Sequence, residues 1–256
     1  MTSHETTDAI AEERRADERR SNRDADPPAG SPGRRLLLFG APILLGALFL
    51  IHPDGSGGLD ALVSVADTWL FIHLAMLPLL GLLGASLYVL LEGYAGPVAT
   101  VGRVGAGVYA TFYVAFEAIA GVATGVVVHG AHAHPAGHRA GLAGAIDALV
   151  VPSVAIGAIG TLGALVAVVA AGVCLRRAGA PIAPVVLLGG LPLATLFHGG
   201  TPLDAVAIAA FLVGVAWLEL GWAPTDGAPT DGESAGGGST DGARPTRTAD
   251  PSSRGT

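Results

Sequence analysis

The distribution of charge along the chain is the feature that most restricts its fold. Thirteen of the 21 acidic residues and ten of the 14 basic ones lie before residue 36 or after residue 222. The intervening body is strongly apolar, and the whole chain is only 14% charged, against about 25% in a soluble globular domain. This pattern predicts an integral membrane protein whose main partner is the lipid bilayer.

Six apolar runs divide the body of the chain. A helix of about 20 residues, with a range of roughly 17–25, is needed to cross the hydrocarbon. In lipid each backbone polar group must find a partner within its own segment, so these runs are predicted to be helices. The sequence therefore predicts an all-α, polytopic bundle of six transmembrane helices within residues 34–222, with a short first and fifth helix. The runs cover 36–51, about 68–91, about 104–128, about 147–175, about 183–198 and about 203–222.

The two ends of the chain have a different composition. Residues 1–33 alternate acids with arginines, and residues 223–256 are rich in Gly, Pro and Asp, with APTDG occurring twice. Neither segment can bury enough apolar surface to offset chain entropy, so both are predicted to be disordered tails.

Arginine positions predict the orientation of the helices. If six helices cross the membrane, the loops between them lie alternately on its two sides, and Arg139 is the only arginine on one of these sides. The positive-inside rule then predicts a multi-pass protein of the cell membrane with both termini cytoplasmic. The arginines on the opposite side are Arg23, Arg34, Arg35, Arg103, Arg176 and Arg177.

Small residues inside the predicted helices indicate how the helices pack. Lipid tails are as apolar as leucine, so transmembrane helices associate by close packing, which glycine permits. Glycines at helical spacing occur in the second, third and fourth predicted helices: Gly81 and Gly84; Gly121 and Gly125; Gly157, Gly160 and Gly163.

Glu117 lies near the middle of the third predicted helix. A charge at that depth costs roughly 2.5–3.5 kcal/mol on insertion scales, a cost that a protonated carboxyl avoids. Helical spacing places Tyr113, Glu117, Gly121 and Thr124 on one face, which is predicted to point into the bundle. This face is either a proton or cation relay or the site of a neutral, hydrogen-bonded carboxyl.

The histidines gather on the predicted outer side. His73 is predicted about one turn inside the second helix, roughly 9 Å in depth from Glu117, too far for a direct hydrogen bond. The stretch HGAHAHPAGH contributes His129, His132, His134 and His138. Imidazoles and the carboxylates nearby are ligands for Zn²⁺, Cu²⁺ and Ni²⁺. This run is either a metal site or a polar loop with incidental affinity for metal, since Gly and Pro interrupt it.

Other cofactor chemistry has less support in the sequence. A haem would need two histidines at matched depth on facing helices; His73 could be one, but His52, His129 and His198 fall at the ends of predicted helices. The single cysteine, Cys174, excludes an internal disulfide and a thiolate zinc site. No hydrolase, zinc-protease or phosphate-loop motif occurs, and the charge pattern gives no surface for nucleic acid.

The stretches WLFIH and FEAIAGVATG, within residues 68–128, resemble those of a poorly characterised group of multi-span integral membrane proteins in GC-rich prokaryotes. The resemblance implies a membrane protein and carries no activity.

Three hypotheses for function remain open. The first is a non-enzymatic membrane protein with a structural, sensory or partner-binding role and no cofactor. The second is a small proton- or cation-coupled transporter that uses Glu117 with the outer histidines and aspartates. The third is a redox protein of the membrane that binds a divalent metal or a haem.

Overall fold

The computed structural model describes residues 31–55, 57–133, 138–198 and 202–222. Nearly all of both predicted tails, 1–33 and 223–256, lies outside the described residues, and so does His134. The side chains of His132 and Arg139 are outside them as well. Within the described ranges all regular elements are helices, so the predicted all-α fold is confirmed.

In the part of the chain that the structure describes, five helices are long and apolar enough to cross a membrane: α1, α3, α4, α5 and α8. The helices α6 and α7 together form a shorter apolar segment, Ile182–Leu196, where the sequence predicts a fifth crossing. In chain order the helices are α1 Pro32–Leu50, α2 Gly58–Ser64, α3 Ala66–Leu90, α4 Pro97–Gly130, α5 Arg139–Arg177, α6 Ile182–Leu187, α7 Gly190–Leu196 and α8 Pro202–Gly221.

The helices α4 and α5 extend well beyond the apolar runs that predict them. Hydropathy identifies the stretch suited to lipid, whereas the hydrogen-bonded helix continues into polar residues such as Arg103 and Arg177. Pro97 starts α4, where its missing N–H costs nothing because the first turn has no partner for it. Gly96 precedes it at φ 91°, a left-handed conformation that glycine adopts without strain.

One end of the bundle contains three arginines, Arg34, Arg103 and Arg176, and we call it the arginine end. The starts of α1 and α4 and the ends of α3, α5 and α8 lie there. Arg34 donates to Glu219 Oε1 at 2.6 Å, to Glu92 Oε2 at 3.3 Å and to the carbonyl oxygen of Val89 at 3.0 Å. This clasp joins the start of α1 to the ends of α3 and α8.

Arg103 and Arg176 close the remaining turns at the arginine end. Arg103 donates to the carbonyl oxygens of Leu91 and Tyr94 in the turn between α3 and α4. Arg176 donates to the carbonyl oxygen of Ala180 in the turn after α5. Each guanidinium thereby satisfies carbonyl groups in a turn between two helices.

The other ends of the helices meet at what we call the histidine end, defined by His52, His73 and His198. His52 follows α1, His73 lies in the second turn of α3, and His198 follows α7. The rings of His52 and His198 have centroids 5.5 Å apart. The segment Ile182–Leu196 therefore connects the two ends of the bundle.

The glycines of α5 confirm the predicted packing surface. A Cβ on Gly160 would lie 2.7 Å from the backbone nitrogen of Tyr113, and one on Gly163 would lie 2.7 Å from that of Tyr109. A Cβ on Gly157 would meet the ring of Phe116 at 2.9 Å. The backbones of α4 and α5 approach this closely because no side chain separates them, as is typical of transmembrane helix pairs.

The close approach of α4 and α5 gives a testable prediction about stability. We expect Gly160→Ala to lower the free energy of unfolding by about 1–3 kcal/mol, because the new Cβ meets backbone that cannot move independently. Thermal unfolding of the purified protein in detergent measures this. Gly141→Ala is the matched control on the same helix, since a Cβ there has nothing within 4 Å. Equal melting temperatures for both variants would contradict the packing.

Candidate metal centre

A π-helical segment, Glu117–Ala123, interrupts α4 and sets the position of the acidic side chain. Such segments widen the turn and occur often at functional sites. Glu117, Tyr113 and Thr124 are at most 1% exposed, and Gly121 is also buried. The predicted inward-facing side of this helix is therefore confirmed, and it includes the one acidic residue of the segment.

Three histidines surround the carboxylate of Glu117. The Nε2 of His198 lies 3.3 Å from Oε2, and the Nε2 of His73 lies 3.9 Å from Oε1. The Nε2 atoms of His52 and His73 are 3.2 Å apart. One ring nitrogen from each histidine lies within 4.8 Å of the others. Four nitrogen and oxygen donors thus converge on one small volume.

Trp69 fixes the orientation of His73. The Nδ1–H of His73 donates to the carbonyl oxygen of Trp69, one turn earlier in α3, at 2.7 Å. The indole ring stacks on the imidazole, with centroids 4.3 Å apart. Because a carbonyl oxygen can only accept, Nδ1 carries the proton and Nε2 of the neutral ring keeps its lone pair for a ligand. A hydrogen bond to the outer ring nitrogen is the usual support of a metal-binding histidine.

Gly121 provides the space that His73 occupies. A Cβ at this position would lie 2.6 Å from Cγ of His73 and closer still to Cδ2. The carbonyl oxygen of the same glycine accepts from Nε1–H of Trp69 at 3.0 Å. The π-helical segment of α4 and the first turns of α3 are therefore held together by one glycine.

His52 and His198 come from chain segments that follow helices. The ring of His52 contacts that of Trp69 edge-on at 5.4 Å between centroids, and the ring of His198 contacts those of Phe49 at 5.5 Å and Phe116 at 5.9 Å. Burial and then the neighbouring His198 and His73 lower the pKa of His52 to about 4. His52 is therefore neutral at pH 7, the form in which imidazole binds a metal.

The carboxylate of Glu117 is fully buried, and neither Oε1 nor Oε2 accepts a hydrogen bond of good geometry from the described residues. The nearest groups that could balance its charge are the imidazoles of His198 and His73, whose Nε2 atoms lie 3.3 and 3.9 Å from its oxygens. A buried carboxylate is costly unless it is paired with a cation or coordinates a metal. A cation placed among the four donors would supply the missing charge and the missing contacts.

The spacing of the donors fits a single small ion. Two nitrogen ligands at about 2.0–2.1 Å from a tetrahedral zinc lie about 3.3–3.4 Å apart. The observed separations of 3.2 and 3.3 Å match that value, and that of 3.9 Å is somewhat larger. The ligand nitrogens of the three histidines spread over as much as 4.8 Å, so binding one ion requires the more distant ring to move inward. A haem fits less well, because its two axial ligands must stand on opposite faces of a porphyrin, whereas these donors share one point.

A cavity of about 510 Å³ opens beside the four donors and is lined by all of them. Its other walls are mostly apolar and include Leu62, Ile146, Val150 and Val154, with Asp147 as a further acidic residue. The cluster is therefore reachable from the histidine end, while its donors remain buried.

The structure brings His73 and Glu117 together, contrary to the predicted depth difference of roughly 9 Å. Because α4 begins at Pro97 and ends at Gly130, Glu117 lies on the histidine-end side of its midpoint. Because α3 begins at Ala66, His73 lies about two turns inside it. Both corrections move the two side chains to a similar level, and their nearest atoms are 3.9 Å apart.

The histidine-rich loop is a different part of the molecule. His129 Nδ1 lies 2.9 Å from Oδ1 of Asp67, and both side chains are exposed. His138 precedes α5 and is exposed. Among the described residues, the group able to hold a metal is His52, His73 and His198 rather than these. The proposal that His129, His132, His134 and His138 share a metal stays a prediction, since His134 lies outside the described residues.

The sequence places His52 and His198 on the correct side but does not assign them to a site. Both follow an apolar run directly, in FLIHP and TLFHGG. That position is the signal that could have identified them. When three apolar helices each have a histidine near the same end of the bundle, packing of the helices brings the three imidazole rings together.

No known protein family, no curated protein and no solved structure matches this chain.

Proposed function

We propose that this chain is an integral membrane protein that holds one divalent transition-metal ion between His52, His73, His198 and Glu117. The observation that carries the proposal is the buried carboxylate of Glu117, which accepts no hydrogen bond of good geometry from the described residues and lies 3.3 Å from the nearest imidazole nitrogen. The ligand nitrogens of His52, His73 and His198 lie within 4.8 Å of one another beside it. Three imidazoles and one carboxylate suit Zn²⁺, Fe²⁺ or Cu²⁺, whereas Mg²⁺ and Ca²⁺ prefer oxygen donors alone.

The packing below the cluster favours a resident ion over a transported one. Towards the arginine end the neighbouring side chains are Met76, Leu80, Tyr109 and Tyr113, all at most 1% exposed. An ion leaving in that direction would have to displace a closely packed core, whereas the cavity gives access from the histidine end. The cavity also leaves room for a ligand beside the metal, so we propose a metal centre that acts on a bound molecule.

The membrane topology that we propose has six transmembrane segments and both termini in the cytoplasm. Arg34, Arg103 and Arg176 gather at the end opposite the three histidines, which agrees with the positive-inside rule. The short segment Ile182–Leu196 would cover about 22 Å at 1.5 Å per residue, and local thinning of the bilayer accommodates such a length.

Metal analysis of the purified protein tests the proposal. We expect one Co²⁺, added as a spectroscopic substitute for the natural ion, to remain bound per chain after dialysis against buffer. A visible absorption band typical of four- or five-coordinate Co²⁺ should accompany it, because the site offers four nitrogen and oxygen donors. Mg²⁺ in excess should not displace it. Complete loss of Co²⁺ on dialysis would reject the metal centre.

A further inference from the structure

We propose that the ligand of this metal centre is a single-chain amphiphile that enters from the lipid, with its oxygen-bearing head group on the metal and its apolar chain between α5 and α7. This inference rests on the proposed function and adds the class of molecule on which the centre acts. It follows from a second cavity that adjoins the first.

The second cavity is a groove of about 660 Å³ between α5 and α7. Its walls are mostly apolar residues of both helices, among them Ala158, Leu162, Leu193 and Leu196. Residues of α4 and a few polar side chains complete the lining: Tyr113, Phe116, Thr161, Thr195 and His198. Leu162, Leu193 and Leu196 are 48–65% exposed, so in a membrane they face the hydrocarbon. The groove therefore opens sideways into the bilayer rather than into water.

The groove and the metal cavity share a wall. Phe116, Val154 and His198 line both, and His198 is also one of the proposed ligands. The ring of Phe116 contacts the glycine surface of α5 at Gly157, where only a residue without a side chain leaves room for it. The two cavities thus adjoin at these three side chains, and in our proposal the head group passes between them from the lipid-facing groove to the four donors.

The chemistry of the two cavities selects their occupant. The first has a metal with an adjacent open volume, which binds carboxylate, hydroxyl or carbonyl oxygen. The second has hydrocarbon walls, and each methylene buried there strengthens binding by about fourfold. A molecule that satisfies both has an oxygen donor at one end and an aliphatic chain, as a fatty acid does. A small water-soluble anion would use the first cavity alone.

Two hydroxamates that chelate metal through the same head group test the inference. With Co²⁺-loaded protein in lipid nanodiscs, we expect octanohydroxamate to shift the Co²⁺ absorption band at about 100-fold lower concentration than acetohydroxamate, which corresponds to burial of about three to four of its six additional methylenes. Equal concentrations for the two probes would overturn the inference and leave the metal centre intact. Failure to retain Co²⁺ at all would reject the proposed function and this inference with it.

A pair of variants separates binding in the groove from simple partition into lipid. Ala158→Phe fills the groove at an exposed position of α5, and we expect it to raise the octanohydroxamate concentration needed by about tenfold. Its response to acetohydroxamate and its Co²⁺ band should not change, which also shows that it folds. Ala155→Phe is the control, since it adds the same ring at an exposed position of α5 outside the groove. An unchanged octanohydroxamate response in Ala158→Phe would contradict lateral entry.

Discussion

Glu117→Gln is expected to lower the affinity of the protein for Co²⁺ by about 100-fold or more. Substitutions of groups that only support a ligand typically cost 10–100-fold, so the loss of a direct ligand should cost at least that much. Glutamine has the same shape but no charge, so the cluster loses the anionic ligand that lies fully buried beside the three histidines. Equilibrium dialysis with atomic absorption measures the change.

Matched substitutions show whether the loss is specific. Glu92→Gln makes the same chemical change at the arginine end, where the side chain is 52% exposed, and should leave Co²⁺ affinity unchanged. His52→Gln, His73→Gln and His198→Gln should each reproduce the loss. His129→Gln and His138→Gln should not, because both lie outside the cluster. If Co²⁺ affinity fell in the last two variants and stayed normal in the variants of His52, His73 and His198, the metal would bind in the histidine-rich loop instead.

Gly121→Ala is expected to abolish binding almost as completely as removal of His73, although it changes no ligand. The added methyl group would lie 2.6 Å from Cγ of His73, so the imidazole must leave its place beside Glu117. We expect a decrease in Co²⁺ affinity of about 100-fold, comparable to the loss of a ligand. The measurement is the same dialysis experiment, with circular dichroism to confirm that the helices remain.

A control variant and a double variant test whether Gly121→Ala acts by displacing His73. Gly107→Ala changes another glycine of α4 where a Cβ has nothing within 4 Å, and it should bind Co²⁺ like the unmodified protein. In the double variant with His73→Gln, Gly121→Ala should cause much less than its separate loss, because its closest contacts are with that imidazole and only the 3.0 Å contact with Glu117 Oε1 remains. Additive losses would show that Gly121 acts by another route, and normal affinity in Gly121→Ala would show that His73 is not a ligand.

The helical architecture follows from the sequence because hydropathy and backbone pairing in lipid leave few alternatives. Helix lengths are less predictable, since α4 and α5 continue past the apolar residues that reveal them. The inward face at Glu117 and the glycine surface of α5 are both read from local spacing, and both are confirmed. Local periodicity thus predicts which side of a helix is buried.

The candidate metal centre could not be derived in the same way. The sequence shows four histidines within ten residues, and that local density draws attention to the loop. The cluster instead combines residues 52, 73, 117 and 198, which lie on or after four different helices. Their convergence depends on the depth of each helix, and a shift of a few residues in the start of α3 or α4 changes that depth by several ångströms.

The clasp at Arg34 has a mechanical consequence for the opposite end of the bundle. Its guanidinium joins the first helix to the last through Glu219, at the end where both tails leave the bundle. Because Arg34 also donates to Val89 and Glu92, a pull on α1 or on α8 at this end is shared with α3. Three helices then carry the load together, so we expect the spacing of the four donors at the opposite end to change less than it would if α1 were pulled alone.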